Sequence, residues 1–286
     1  MKIQKLIDQI AEELQSTEHA WWLLEVITNK TKFQLLFESS ELTDQQLTKL
    51  NYWVYKITQE HYPIQYLIAS VPFLDCEILV EPPILIPRPE TEEWCADLIE
   101  QLKTLENKNI TILDMCTGSG CIAISVAASL PQAQVFAVDI SDKAIALTKK
   151  NIELNKVSNV IFVKSDLYKE LGNNKFDLIV TNPPYIDEAL FETLDLSVKN
   201  WEDPNALISK DGGLFLIKQI IKKAPKYLKN NLEFQKNNIP NLVIEIDETQ
   251  GEKVAKLMQE TEFINVQIKK DLYGKNRVVC GNLSVI

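Results

Sequence analysis

The sequence predicts an α/β fold: a mostly parallel sheet with helices on both faces, preceded by a small helical bundle. Three observations carry this. Between residues 110 and 181, short apolar runs alternate with segments of helical period. A glycine-bearing loop follows the first run, and an acid, Asp139, closes the second. Finally, Asn182-Pro183-Pro184-Tyr185 follows the apolar run 176–180, at the strand end where open sheets place their ligands. A chain of 286 residues is more naturally two domains than one.

Residues 3–61 read as helices. Ile3, Leu6, Ile7, Ile10 and Leu14 recur on one face, and Trp21, Trp22, Leu24 and Val26 supply a second apolar segment. Thr43 with Gln46 forms a capping box ahead of Leu47, Leu50, Val54 and Ile57, and Pro63 follows the end. Trp21, Trp22 and Trp53 are expected in the bundle core. The pattern then shortens to extended runs at 76–80 and 84–86, separated by Glu81-Pro82-Pro83, which predicts a β-hairpin connector. The resulting boundaries are a bundle over 1–70, a connector over 71–89 and an α/β domain over 90–286.

In that domain a helix over 91–102 leads to a strand at 110–114, a helix at 120–130, a strand at 134–140, a helix at 142–154 and strands at 160–165 and 176–181. A further helix runs from Gly212-Gly213 to about Leu228, followed by a polar loop, a strand at 242–246, a helix after Gly251 and strands near Val266 and Val278. Only Tyr273-Gly274-Lys275-Asn276 separates the last two, so they should pair antiparallel.

Gly118 and Gly120 permit positive φ and close approach of a ligand. Asp139, one strand later, stands where a carboxylate can grip both hydroxyls of a ribose. Together these describe a nucleoside site. Because Gly118, Gly120 and Ala123 also satisfy the spacing of dinucleotide-binding folds, a nicotinamide enzyme remains open. In Asn182-Pro183-Pro184-Tyr185, successive prolines stiffen the backbone. The Asn182 side-chain oxygen and the Pro183 carbonyl can then accept both hydrogens of a planar NH2 group, with the Tyr185 ring flat over it. Read alone, the same residues also fit a turn with a buried tyrosine.

The net charge of −10 argues against affinity won by neutralising phosphates. Cys76, Cys95, Cys116, Cys121 and Cys280 form no C-x-x-C pair and read as reduced thiols. His19 and His61 lack a Cys or His at ligand spacing, so no metal site is expected, and both should be surface residues. The N-terminus and all later segments lack the apolar length needed to cross a bilayer. A cytoplasmic protein without membrane partners is expected.

Several stretches then act together: Pro63-Ile64-Gln65-Tyr66-Leu67, Leu85 to Glu92, Leu113-Asp114 through Ala123, Asn182 to Ile186, Trp201-Glu202-Asp203-Pro204 with Ala206-Leu207, and Asn276-Arg277-Val278-Val279. They resemble the HemK/PrmC family, within the class I methyltransferases that use S-adenosyl-L-methionine and whose seven-stranded sheet ends in an antiparallel hairpin. The match covers about residues 60–286. The resemblance implies methylation of the side-chain nitrogen (N5) of the glutamine in the Gly-Gly-Gln motif of class I peptide chain release factors. A monomer is expected, and from the acidic charge no direct contact with nucleic acid. It implies that S-adenosyl-L-methionine is held by Asp114, Cys116, Thr117, Gly118, Ser119 and Gly120, with Asp139 on its ribose, Asp166 and Leu167 beside its adenine, and Asn182 at its edge.

By the same resemblance Asn182, Pro183, Pro184 and Tyr185 hold the glutamine amide, and Asn182, Pro183 and Tyr185 act in catalysis. Arg88, Glu90 and Thr91 are candidates for the wall near the methionine end, although Arg88 fits an interdomain salt bridge equally well. The bundle is expected to recognise the protein substrate. Glycine is expected where Ala69, Cys116 and Asp247 stand. A left-handed backbone at Cys116 would cost about 1 to 2 kcal/mol, so a right-handed conformation is expected there. The rivals are a nucleic-acid methyltransferase acting on an exocyclic amine of adenine or cytosine, a nicotinamide dehydrogenase, and a degenerate methyltransferase fold serving as a binding protein.

Overall fold

The computed structural model describes residues 3–37 and 41–284. The chain divides into two compact units, one of Met1–Ser70 with Asp195–Trp201 and the other of Val71–Leu194 with Glu202–Ile286.

The first unit holds the helices Ile3–Leu14, Thr17–Thr28, Lys32–Phe37, Asp44–Glu60 and Ile64–Ile68. Leu6, Ile7, Ile10, Leu23, Leu24, Leu50 and Trp53 share its core. Both halves of the Thr43–Gln46 capping box form, which fixes where the longest of these helices begins. Trp21 and Trp53 are buried and Trp22 half-buried. Val26 departs from expectation and faces outward, because Leu23 and Leu24 already fill the inward side of its helix. His61 is exposed, whereas His19 is half-buried. Ala69 caps Ile64–Ile68 at φ 70, the left-handed position at which glycine is easiest to place. Trp201 belongs to this unit despite its place in the chain. Its indole N–H donates to the Glu60 carbonyl at 3.0 Å, and its ring meets Tyr62 edge-on at 4.4 Å.

The connector differs from the reading of its sequence. The two-stranded sheet pairs Ser70–Phe73 with Cys76–Leu79, and residues 84–86 form no strand. Pro82, Pro83 and Pro87 lack the N–H donors that a ladder there would need. Ile84 instead packs against Ala144 and Leu147.

The main sheet comprises β1 (Thr111–Met115), β2 (Gln134–Asp139), β3 (Val160–Lys164), β4 (Leu178–Thr181), β5 (Leu242–Glu245), β6 (Phe263–Lys270) and β7 (Asn276–Leu283). Their order is β6-β7-β5-β4-β1-β2-β3. The ladders from β5 to β3 are parallel, and β7 runs antiparallel to both β5 and β6. β1, β4 and β5 are buried almost throughout, as parallel strands covered on both faces must be. The polar stretch after residue 228 contains a helix that its composition hid, Leu232–Lys236. Asn231 caps it and Phe234 anchors it in the core.

Candidate active site

Strand register assembles the site. Met115 pairs with Val138 on one side and Thr181 on the other. The next residues, Cys116, Asp139 and Asn182, therefore leave the sheet at one level, where the order reverses between β1 and β4. That reversal point is where doubly wound sheets bind ligands. A cavity of about 560 Å³ opens there, lined by Cys116, Thr117, Gly118, Ser119, Asp139, Asp166, Leu167, Asn182 and Pro184 among others.

Cys116 is left-handed at φ 61, contrary to the right-handed backbone expected of it. The chain has to turn at once, because the Thr117 N–H donates to the Val138 carbonyl at 3.0 Å. The Thr117 hydroxyl also donates to Asp114 at 2.5 Å. These bonds offset the local strain. Burial, reinforced by the Asp139 and Asp114 charges, pushes the Cys116 thiol up and keeps it neutral. Gly120 has φ 84, and a Cβ there would lie 2.8 Å from the Thr148 methyl. Asp247, the third expected glycine, keeps negative φ and makes a turn in which its Oδ1 accepts from the Thr249 N–H and hydroxyl.

Asp114 is fully buried below the loop. Its Oδ2 accepts from Thr117 and from the Ala123 N–H, while Oδ1 has no partner among the described residues. Burial pushes this carboxyl up to about 7. Asp139 accepts one backbone N–H on each oxygen, from Gly118 and Ser141, both at 2.9 Å. Each oxygen keeps a lone pair for a ligand hydroxyl. Leu167 sits at φ 51, its carbonyl accepting from the Ser165 hydroxyl.

The Asn182 loop is held from three sides. Asn182 Nδ2 donates to Thr91 Oγ1 at 3.2 Å. The Tyr185 hydroxyl donates to Glu245 at 3.1 Å, and the Tyr185 carbonyl accepts from Gln250 at 2.8 Å. Gly213 lies against it so closely that a Cβ would stand 1.9 Å from the Tyr185 carbonyl oxygen. Asn182 and Pro184 border the cavity, Pro183 is buried, and Tyr185 packs on the core behind them.

The three connector residues separate. Thr91 lines the cavity, and Glu90 lines a different groove. Arg88 is paired with the buried Glu202 at 2.6 and 2.8 Å. Both partners lie in the second unit, so this ion pair is internal and does not bridge the two units. The sequence marks Gly213 only as a helix start and gives Gln250 and Glu245 no site role. For Glu245 a signal existed, an acid inside the apolar run 242–246.

The family described as Methyltransferase small domain matches residues 95–239. A release factor glutamine methyltransferase of Flavobacterium psychrophilum is 40% identical over 223 residues, covering 77% of this chain and 75% of its relative. One from Thermodesulfovibrio yellowstonii is 30% identical over 278 residues, covering 97% and 95%. The fold is shared with the crystal structure of a SAM-dependent methyltransferase from Agrobacterium tumefaciens at a TM-score of 0.51 and 17% identity, over 75% of this chain and 69% of that one. With relatives this similar along most of their length, the chain belongs to the release factor glutamine methyltransferase family.

Proposed function

We infer that this protein transfers the methyl group of S-adenosyl-L-methionine to the side-chain amide nitrogen (N5) of the glutamine in the Gly-Gly-Gln motif of class I peptide chain release factors. The observation that carries the reading is the Asn182 loop, clamped at the end of β4 beside the cavity that also holds Asp139. The cavity volume falls within the range of small-molecule sites. The paired acceptors of Asp139 suit vicinal ribose hydroxyls, the loop 116–120 suits the methionine end, and Asp166 with Leu167 suits the adenine.

When bound, S-adenosyl-L-methionine supplies an electrophilic methyl on a positively charged sulfur. An amide nitrogen is a weak nucleophile because its lone pair is delocalised, yet it loses a proton readily once alkylated. The protein's work is then to position and polarise. Asn182 Oδ1 and the Pro183 carbonyl accept the two amide hydrogens and put partial negative charge beside a nitrogen that becomes positive. Tyr185 closes the back of the pocket. No titrating base is required.

The unit of Met1–Ser70 with Asp195–Trp201 is read as the part that recognises the release factor, in a cytoplasmic monomer that needs no nucleic acid. No helix among the described residues is long and apolar enough to cross a membrane. The deciding experiment incubates the protein with methyl-labelled donor and a purified class I release factor, then sequences the Gly-Gly-Gln peptide by mass spectrometry. One methyl on that glutamine is the expected product. Label incorporated into DNA or RNA and absent from the release factor would overturn the assignment.

A further inference from the structure

Glu245 ends β5 and is 1% exposed, a costly place for a carboxylate unless its oxygens are satisfied. They are. Oε2 accepts from the Thr91 hydroxyl and from the Trp94 indole N–H, each at 2.7 Å. Oε1 accepts from the Tyr185 hydroxyl at 3.1 Å. The donors come from the helix Pro89–Lys103 and from the Asn182 loop, so one buried acid ties together the two segments that flank the acceptor end of the cavity.

We propose that Glu245 is a positioning residue for methyl transfer: acting through the Thr91 hydroxyl, it sets which end of the Asn182 amide faces the cavity. The proposal rests on the reading of Asn182 as the group that accepts from the substrate amide. The Trp94 indole only donates, so the oxygen it meets, Oε2, acts as an acceptor. The Thr91 hydroxyl has one proton and commits it to Oε2. Thr91 Oγ1 then offers Asn182 only lone pairs, so the group directed at it across 3.2 Å has to be the NH2 of Asn182. Asn182 lines the cavity, and its Oδ1, opposite the NH2 committed to Thr91, is left as the acceptor for an incoming N–H.

An amide at position 245 would keep this logic, its oxygen on Thr91 and Trp94 and its NH2 turned to the Tyr185 hydroxyl, which can accept. Methionine, of similar length, offers only a weakly accepting sulfur; the Thr91 proton is freed to point at Asn182, and the Asn182 amide could then invert. A substrate NH2 would meet an NH2. Donor facing donor is repulsive, and the substrate hydrogen meant for Asn182 would be left unpaired.

The test uses the full chain with intact release factor and three variants. In Glu245→Met, kcat should fall by about 10- to 100-fold, the range seen when the outer-shell partner of a metal ligand is lost. Its affinity for S-adenosyl-L-methionine, read by calorimetry, and its KM for release factor should each stay within about threefold of wild type. Thr91→Val, similar in shape but without the hydroxyl, should lose kcat alike, and Thr91→Ser should recover most of that loss. A merely structural role for Glu245 would move melting temperature and donor affinity together and would show no serine rescue. Should Glu245→Met fail to fold, the Thr91 pair still decides. Wild-type kcat in folded Glu245→Met and Thr91→Val would overturn the proposal while leaving the activity standing. Failure of wild type itself to methylate release factor would remove the activity reading, and this inference with it.

Discussion

The Gly118 N–H donates to Asp139 Oδ2 at 2.9 Å, so the glycine loop after β1 and the acid at the end of β2 form one unit. Asp139 then does two jobs. It fixes the loop through Gly118 and presents the remaining lone pairs of its carboxylate to the cavity. Replacing it by alanine should weaken S-adenosyl-L-methionine binding at least about tenfold, since charge-assisted bonds are worth about 1.5 to 3 kcal/mol. Calorimetry measures this directly. Unchanged affinity would remove Asp139 from the donor site, and tight NADH binding by the native protein would favour a dehydrogenase.

Asn182→Ala should separate chemistry from donor binding. Losing one preorganised group that contacts developing charge typically costs about 100-fold or more in turnover, while donor affinity should fall far less. Tyr185→Phe should be milder, because the ring and its packing on the core survive and only the bond to Glu245 is lost. Single-turnover assays with saturating donor give the comparison. Near-native turnover by Asn182→Ala would reduce the loop to a turn.

How much of this could be read from the chain depends on range. β1, β2, β4 and β5 were legible because buried parallel strands read as apolar runs, and the loop at 116–120 because its glycines and Asp139 have fixed spacing. The link from Asn182 to Thr91 and on to Glu245 was not, since it joins three segments far apart in sequence. The handedness of Cys116 was misread because residue preference argued one way while the bonds of Thr117 pulled the other. In the connector, the apolar residues Ile84 and Ile86 signalled burial correctly but strand wrongly. Periodicity cannot separate an extended buried loop from a strand when prolines remove the ladder donors.

Asp114 gives a pH dependence of stability with a defined sign. Burial raises its folded-state value from an ordinary 3.8 to about 7, opposed by bonds from Thr117 and Ala123 and assisted by the Asp139 charge. The native state thus holds this proton more tightly than the unfolded chain does. The stabilisation is complete below about pH 4 and is lost as pH rises through 7. Asp114→Asn keeps an acceptor for Thr117 and Ala123 but cannot ionise. Plotted against pH, the melting temperature of wild type minus that of the variant should decline from pH 4 to 7 and level off above. A flat difference would mean that Asp114 titrates normally.

The last prediction concerns the first unit, whose surface carries large side chains with no part in the chemistry above. Phe33 is 68%, Phe37 72%, Tyr52 55% and Tyr55 54% exposed. A glutamine side chain alone offers too little surface to select one protein among thousands, since specific stable interfaces usually bury about 1,200 to 2,000 Å². Exposed aromatics are the residues such an interface tends to use as anchors. Deleting residues 1–62 is a poor test, because Trp201 packs on Tyr62 and bonds to Glu60 and would be stranded. Single alanine substitutions at the four aromatics avoid this. At least one should raise KM for intact release factor several-fold, leaving donor affinity and the methylation rate of a short Gly-Gly-Gln peptide unchanged. If KM for the whole protein stays at the wild-type value in all four, these aromatics do not bind the substrate and the recognition role assigned to this unit loses its surface.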